Sequence, residues 1–183
     1  KMKKNIWAEF NKKKIVSYNF SKLKSLKIKA KKNKKNRYRI CLHNSTDHLT
    51  QEMLISINGF SYIRPHRHPK NISESYHLIK GAIDIYILND KGRLIKKVKL
   101  REKNSPKNTS NTGFIYRISA PYYHLTIPLT NWTLYHEVTT GPFKKNSIVN
   151  YAKFSPSENA STEEINKFLK KYKIKKKLLK RQS

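Results

Sequence analysis

The chain has 183 residues, enough for one domain and too few for two large ones. Lys and Arg total 41 against 11 Asp and Glu, a formal net charge of +30 that points to a nucleic-acid binder or to disordered tails until its distribution is considered. Residues 1–35 hold 14 Lys and one acid, residues 161–183 hold nine basic and two acidic residues, and the middle keeps 18 basic and 8 acidic ones, an ordinary globular balance.

Only eight of the basic residues are Arg, the side chain whose planar fork grips phosphate and guanine. Drift toward Lys therefore accounts for the tails better than selection for nucleic acid, and nucleic-acid binding through them stands third among the readings. The single cysteine, Cys41, forms no intrachain disulfide. No run reaches the ~20 apolar residues of a membrane span, and the Lys-rich start lacks the apolar core of a secretory signal. A soluble, cytoplasmic protein without a membrane span is expected.

From Ile6 to Ala30 short apolar clusters are separated by lysines, too irregularly for a helix or strand to be assigned. Lys31 to Asn36 reads as a charged linker. From Tyr38 onward, alternating runs rich in β-branched and aromatic residues predict strands at Met53–Ile57, Tyr76–Ile79, Ala82–Leu88, Leu94–Leu100, Phe114–Ser119, Tyr123–Pro128 and Trp132–Val138. Asn89-Asp90-Lys91-Gly92 supplies a hairpin turn. So many short strands indicate a sandwich or barrel rather than a parallel α/β sheet. Ser161-Thr162-Glu163-Glu164 fits a capping box, and Ile165, Phe168, Leu169 and Tyr172 recur at helical spacing, so a helix follows. Beyond Lys173 the basic run through Arg181 is expected to be solvated. The expected division is a Lys-rich extension over 1–36 packing partly on the barrel, a domain over 37–158, and a helix with a basic tail over 159–183.

The chemistry concentrates in Arg64-Pro65-His66-Arg67-His68-Pro69, followed by Glu74 and Gly81. Two histidines at i and i+2 on an extended segment project to the same side and can share one ion. Glu74 can return across a turn as a third ligand, and His124 in a later strand is available as a fourth. Imidazoles with a carboxylate and no thiolate suit an open Fe, Mn, Ni or Zn site rather than a closed structural zinc. The competing reading of each is a surface His-x-His, a solvated carboxylate and a satisfied core histidine.

Arg64 and Arg67 flank the histidines and are candidates for binding an anionic substrate, with structural ion pairing as the alternative; Arg67 leaves the opposite strand face. Arg117 is a further candidate near the second motif. A base beside the metal has three candidates, His43, Tyr76 and Glu137. Tyr76 shares the parity of Glu74, whereas His77 faces away.

With its Gly81 and His124, this stretch resembles the two metal-binding motifs of the cupin superfamily. The order of Arg39 to His43, Gln51-Glu52-Met53, the RPHRHP run, the Asn89–Gly92 hairpin and Glu137-Val138-Thr139-Thr140-Gly141-Pro142-Phe143 is similar to that of the WbuC family of cupin-fold metalloproteins, over roughly residues 37 to 158. The resemblance implies an all-β fold, a double-stranded β-helix or jelly-roll-like barrel, with one divalent metal held by His66, His68, Glu74 and His124. It also implies a setting in bacterial surface-polysaccharide biosynthesis (O-antigen and lipopolysaccharide), hence a sugar or nucleotide-sugar substrate, and pairing as a homodimer. An isomerase or epimerase, an oxygenase, and a non-catalytic sugar-binding or regulatory module all remain open on these residues.

Overall fold

Period-two alternation in the middle of the chain builds two sheets whose inner faces share one apolar interior. A computed structural model of the protein describes residues 8–59, 61–119, 121–144 and 148–175; the Ile6 and Trp7 cluster and the basic run beyond 175 lie outside them. The strands are β1 (Ala8–Phe10), β2 (Arg37–Cys41), β3 (Thr50–Ile57), β4 (His66–Arg67), β5 (Ser73–Lys80), β6 (Ala82–Leu88), β7 (Leu94–Arg101), β8 (Ile115–Ser119), β9 (Tyr123–Pro128), β10 (Thr133–Thr140) and β11 (Asn150–Tyr151). Two helices accompany them, α1 (Phe20–Lys32) and α2 (Thr162–Lys170). One sheet has six strands in the order β1-β2-β3-β10-β5-β8 and the other five in the order β11-β4-β9-β6-β7. Pairing is antiparallel except between β1 and β2.

The chain passes from one sheet to the other between β5 and β6 through Gly81. Its φ of +87° and the Thr130 Oγ1 that would stand 2.4 Å from any Cβ leave no room for a side chain there. Between the sheets, Met53, Ile55, Ile57, Tyr76, Ile83, Ile85, Ile87 and Tyr135 form the interior. Strand β6 is buried along its whole length because its other face is also covered, by Phe168, Leu169 and Ile165 of α2. Asp84 interrupts that apolar run and is neutralised from β7, by Arg101 at 2.8 Å and Lys97 at 2.6 Å.

The expected hairpin is formed, with Asn89 Oδ1 accepting from the backbone of Lys91 and Arg93. The capping box at Ser161 is reciprocal: its hydroxyl accepts from the Glu164 amide, and the Glu164 carboxylate accepts from the Ser161 amide. Helix α1 departs from the sequence reading, which left this stretch without an element. Asn19 caps it by accepting from the Lys22 amide, and Leu26 and Ala30 pack on Tyr38, Ile40, Leu54 and Leu134 over the outer face of the six-stranded sheet. The apolar stripe is narrow, so tertiary packing rather than amphipathic patterning secures this helix.

Candidate metal centre

Strand β4 lies beside β9 so that His66 is directly opposite His124, and His68 follows two residues later. Glu74 is on β5 of the facing sheet, on the inward parity it shares with Tyr76. The structure thereby brings the four expected residues together: one ligand-type atom from each of His66, His68, Glu74 and His124 lies within 4.8 Å of every other. Ring centroids are 4.3 Å apart for His66 and His124, 5.2 Å for His66 and His68, and 5.4 Å for His68 and His124. Glu74 is 3 % and His124 1 % exposed.

Backbone carbonyls orient two of the rings. His66 Nδ1 donates to the Arg64 carbonyl at 3.1 Å and His68 Nδ1 to that of Ile148 at 2.7 Å, which turns each Nε2 toward the cluster. Glu74 spans the remaining gap, Oε2 at 3.3 Å from His68 Nε2 and Oε1 at 3.2 Å from His124 Nε2. The second pair is close without hydrogen-bond geometry, and both Glu74 Oε1 and His124 Nε2 are buried with no hydrogen-bond partner. Buried polar atoms left unpaired are costly, and a cation among them would satisfy both. Three imidazoles and one carboxylate fit a divalent ion by donor type and by convergence.

The electrostatics agree. Burial, reinforced by the His124 ring, pushes His66 down to about 3, so it offers a neutral ring. Burial works to raise Glu74, but His124 and His68 hold it well below the usual carboxylate range. Burial works to lower His68, and the hydrogen bond and charge of Glu74 override it, leaving the ring raised.

The segment carrying the histidines is clamped from the C-terminal side. Arg64 Nη2 donates to the Ala152 carbonyl at 2.9 Å, the Ala152 amide donates to the Pro65 carbonyl at 2.9 Å, and Tyr62 donates to the Pro156 carbonyl at 3.2 Å. Glu158 accepts from Arg37 at 2.8 Å through both oxygens, from Lys35 at 2.7 Å and from the Arg64 amide at 3.4 Å. Nothing in the sequence reading singled out Glu158. It is one of only eight acids in residues 36–160, and that scarcity is the signal.

Each of the three candidate substrate-binding arginines has a partner on the protein itself. Arg64 is engaged with Ala152 and with Ser155 Oγ. Arg67 leaves the outward face of its strand, ion-paired to Asp90 and lying 4.7 Å from the Tyr123 ring centre. Arg117 is on the exposed face of β8, where it donates to Ser119 Oγ at 2.8 Å. His43 accepts from the Glu52 amide at 3.0 Å and packs edge-on against Phe10; among the described residues no contact joins it to the four ligands.

Tyr76 and Glu137 do face the interior, opposite each other across β5 and β10. Burial and then the Glu74 charge push the Glu137 carboxyl up to about 8, while Arg39 pulls it back. Arg39 shares the inward parity of Cys41 on β2, a placement that alternation alone could have indicated. Thr139, opposite Glu74, and Tyr116, opposite Tyr76, bring buried hydroxyls with no hydrogen-bond partner.

A family model described as a domain of unknown function, DUF6016, matches residues 18–100. No curated protein matches the sequence. Among solved structures, protein SO0799 from Shewanella oneidensis superposes with a TM-score of 0.51 at 10 % identity, over 64 % of this chain and 75 % of that one. Oxalate decarboxylase from Bacillus subtilis gives 0.45 at 15 % identity over 62 % of this chain and 27 % of its own. The Schizosaccharomyces pombe Cnp3 cupin domain gives 0.41 at 7 % identity over 57 % and 64 %. This chain spans about a quarter of the decarboxylase's length. The structure is a two-sheet, all-β barrel with helices on its outer faces, the architecture expected from the sequence, and its inner wall carries a His/Glu cluster able to hold a metal ion. Among the described residues no helix is long and apolar enough to cross a membrane.

Proposed function

We propose that this protein is a metal-dependent cupin that binds a small, oxygen-rich substrate inside the barrel. The observation that carries the reading is the convergence of four donor side chains, with Glu74 Oε1 and His124 Nε2 buried and unpartnered between them. His66, His68, Glu74 and His124 hold a divalent ion, which when bound supplies Lewis acidity to a substrate oxygen. The polypeptide does the rest. Tyr116 and Thr139 offer hydroxyls to a polar ligand, and Arg39 is the inward arginine whose charge reaches Glu137. Glu137, carrying a proton through the neutral range, is the group best placed to give or take one; Tyr76 lies across from it.

The finer substrate class, a sugar or nucleotide-sugar of surface polysaccharide, rests on the WbuC-like order of motifs, and pairing into a homodimer rests on the wider cupin resemblance. Unpartnered inward hydroxyls are consistent with a hydroxyl-bearing ligand. The deciding experiment is elemental analysis of protein purified without a metal-affinity tag, alongside a His66→Ala, His68→Ala double variant. Near-stoichiometric metal in the first and loss in the second is expected, and equal content in both removes the reading.

A further inference from the structure

Helix α1 has two faces, and the fold uses one of them. Leu26 and Ala30 are turned to the sheet and buried. At ~3.6 residues per turn, Ile28 falls on the opposite side, with Phe20, Lys24, Lys31 and Lys32 around it. Phe20 is 84 % and Ile28 54 % exposed. The segment leading into the helix adds exposed Lys12, Lys13 and Lys14 and an Ile15 that is 88 % exposed.

The charges on that face are uncommitted. Lys22 and Lys29, on the flanks, are drawn to Glu9, and Lys27 lies 5.0 Å from the Trp132 ring centre. Lys24, Lys31 and Lys32 form no salt bridge among the described residues. Glu9, the one acid in residues 1–35, is engaged with Lys22 and Lys29 on the flanks, so this segment brings no further negative charge to the face.

We propose that α1 and its lead-in form a docking surface for an anionic lipid bilayer, with Phe20, Ile28 and Ile15 entering the headgroup region and the lysines meeting lipid charge. A helix lying flat on the barrel with an outward row of apolar and basic residues matches the geometry of interfacial binding. A nucleic acid would answer the charge but gives Ile15 and Ile28 no apolar phase to enter, and residues 1–35 contain no Arg to grip phosphate in bidentate fashion. The surface is separate from the barrel interior, so it stands or falls independently of the metal reading.

The test is sedimentation of the full chain with phosphatidylcholine vesicles, with and without about a third of phosphatidylglycerol, beside retention on duplex DNA. Three variants separate the contributions: Phe20→Ser with Ile28→Ser, which keeps the charge; Lys24→Glu with Lys31→Glu and Lys32→Glu; and Lys96→Glu with Lys99→Glu on the exposed strand β7 as a control. Partitioning into anionic vesicles at least about tenfold above neutral ones is expected. The serine pair should lose about fivefold in vesicle binding with DNA retention unchanged. The α1 charge reversal should lose about tenfold, more than the β7 reversal. Absence of vesicle binding, a serine pair that binds like wild type, or a β7 reversal that costs as much as the α1 reversal overturns the proposal.

Discussion

Replacing Glu158 by Gln removes one negative charge from the clamp that closes over the histidine segment, and its cost follows from the geometry. The carboxylate is mostly buried, and each of its oxygens is 2.8 Å from Arg37 Nη2. Burial works to raise it, but Arg37 and then Lys35 lower it from 4.5 to about 2. At 1.36 kcal/mol per unit, that difference corresponds to about 3 kcal/mol of folding stability at neutral pH. Because the folded group titrates below the unfolded one, the contribution is complete above about pH 4.5 and drains away as pH falls toward about 2. For a chain of this length, about 3 kcal/mol is a fall in Tm of roughly 6–12 °C. Urea unfolding of wild type and Glu158→Gln from pH 7 downward reads it directly. The gap should stand near about 3 kcal/mol at pH 7 and narrow below about pH 4.5 as wild type becomes protonated. A gap under about 0.5 kcal/mol at pH 7, or one that does not shrink in acid, refutes the argument.

Glu74→Gln keeps the side-chain volume and removes the charge that faces three imidazoles, so chelator competition should show at least about a hundredfold weaker metal binding; unchanged affinity would mean the carboxylate is not a ligand. Phe168→Ala empties the contact between α2 and β6, where its ring lies 6.4 Å from Tyr62 and 5.4 Å from Tyr172, and should cost about 3–5 kcal/mol in urea unfolding. A loss under about 1 kcal/mol would show that α2 is not integral to the fold. Gly81→Ala places a methyl 2.4 Å from Thr130 Oγ1 at a φ of +87° and should cost at least about 2 kcal/mol in the same assay. Wild-type stability in that variant would remove the steric account of the turn.

Strand positions were readable in the sequence where burial is one-sided or complete. Ala82–Leu88 reads as a strand and is one, because both its faces are covered. The capping box at Ser161 was readable because its bonds are local. Helix α1 was not, since Leu23, Leu26 and Ala30 make a stripe too narrow to stand out among lysines and the partner surface of Tyr38, Ile40 and Leu54 comes from strands formed later in the chain. The short strands β1, β4 and β11 depend on long-range pairing and carry almost no local pattern. At the site, histidine spacing and donor type nominated His66, His68 and Glu74, and the resemblance to the cupin motifs was needed to set His124 beside them. The arginines were a different matter: Arg64 lies outside a regular strand, so parity could not orient it, and its carbonyl partner at Ala152 is 88 residues away.

Ala152 and Ile148 hold the Arg64 to His68 segment from a point late in the polypeptide. A nascent chain that stops short of Ile148 therefore carries all four donor side chains without the carbonyl that orients His68. On the proposed metal reading, ion capture follows the arrival of Ile148 and Ala152 rather than that of the last donor, His124.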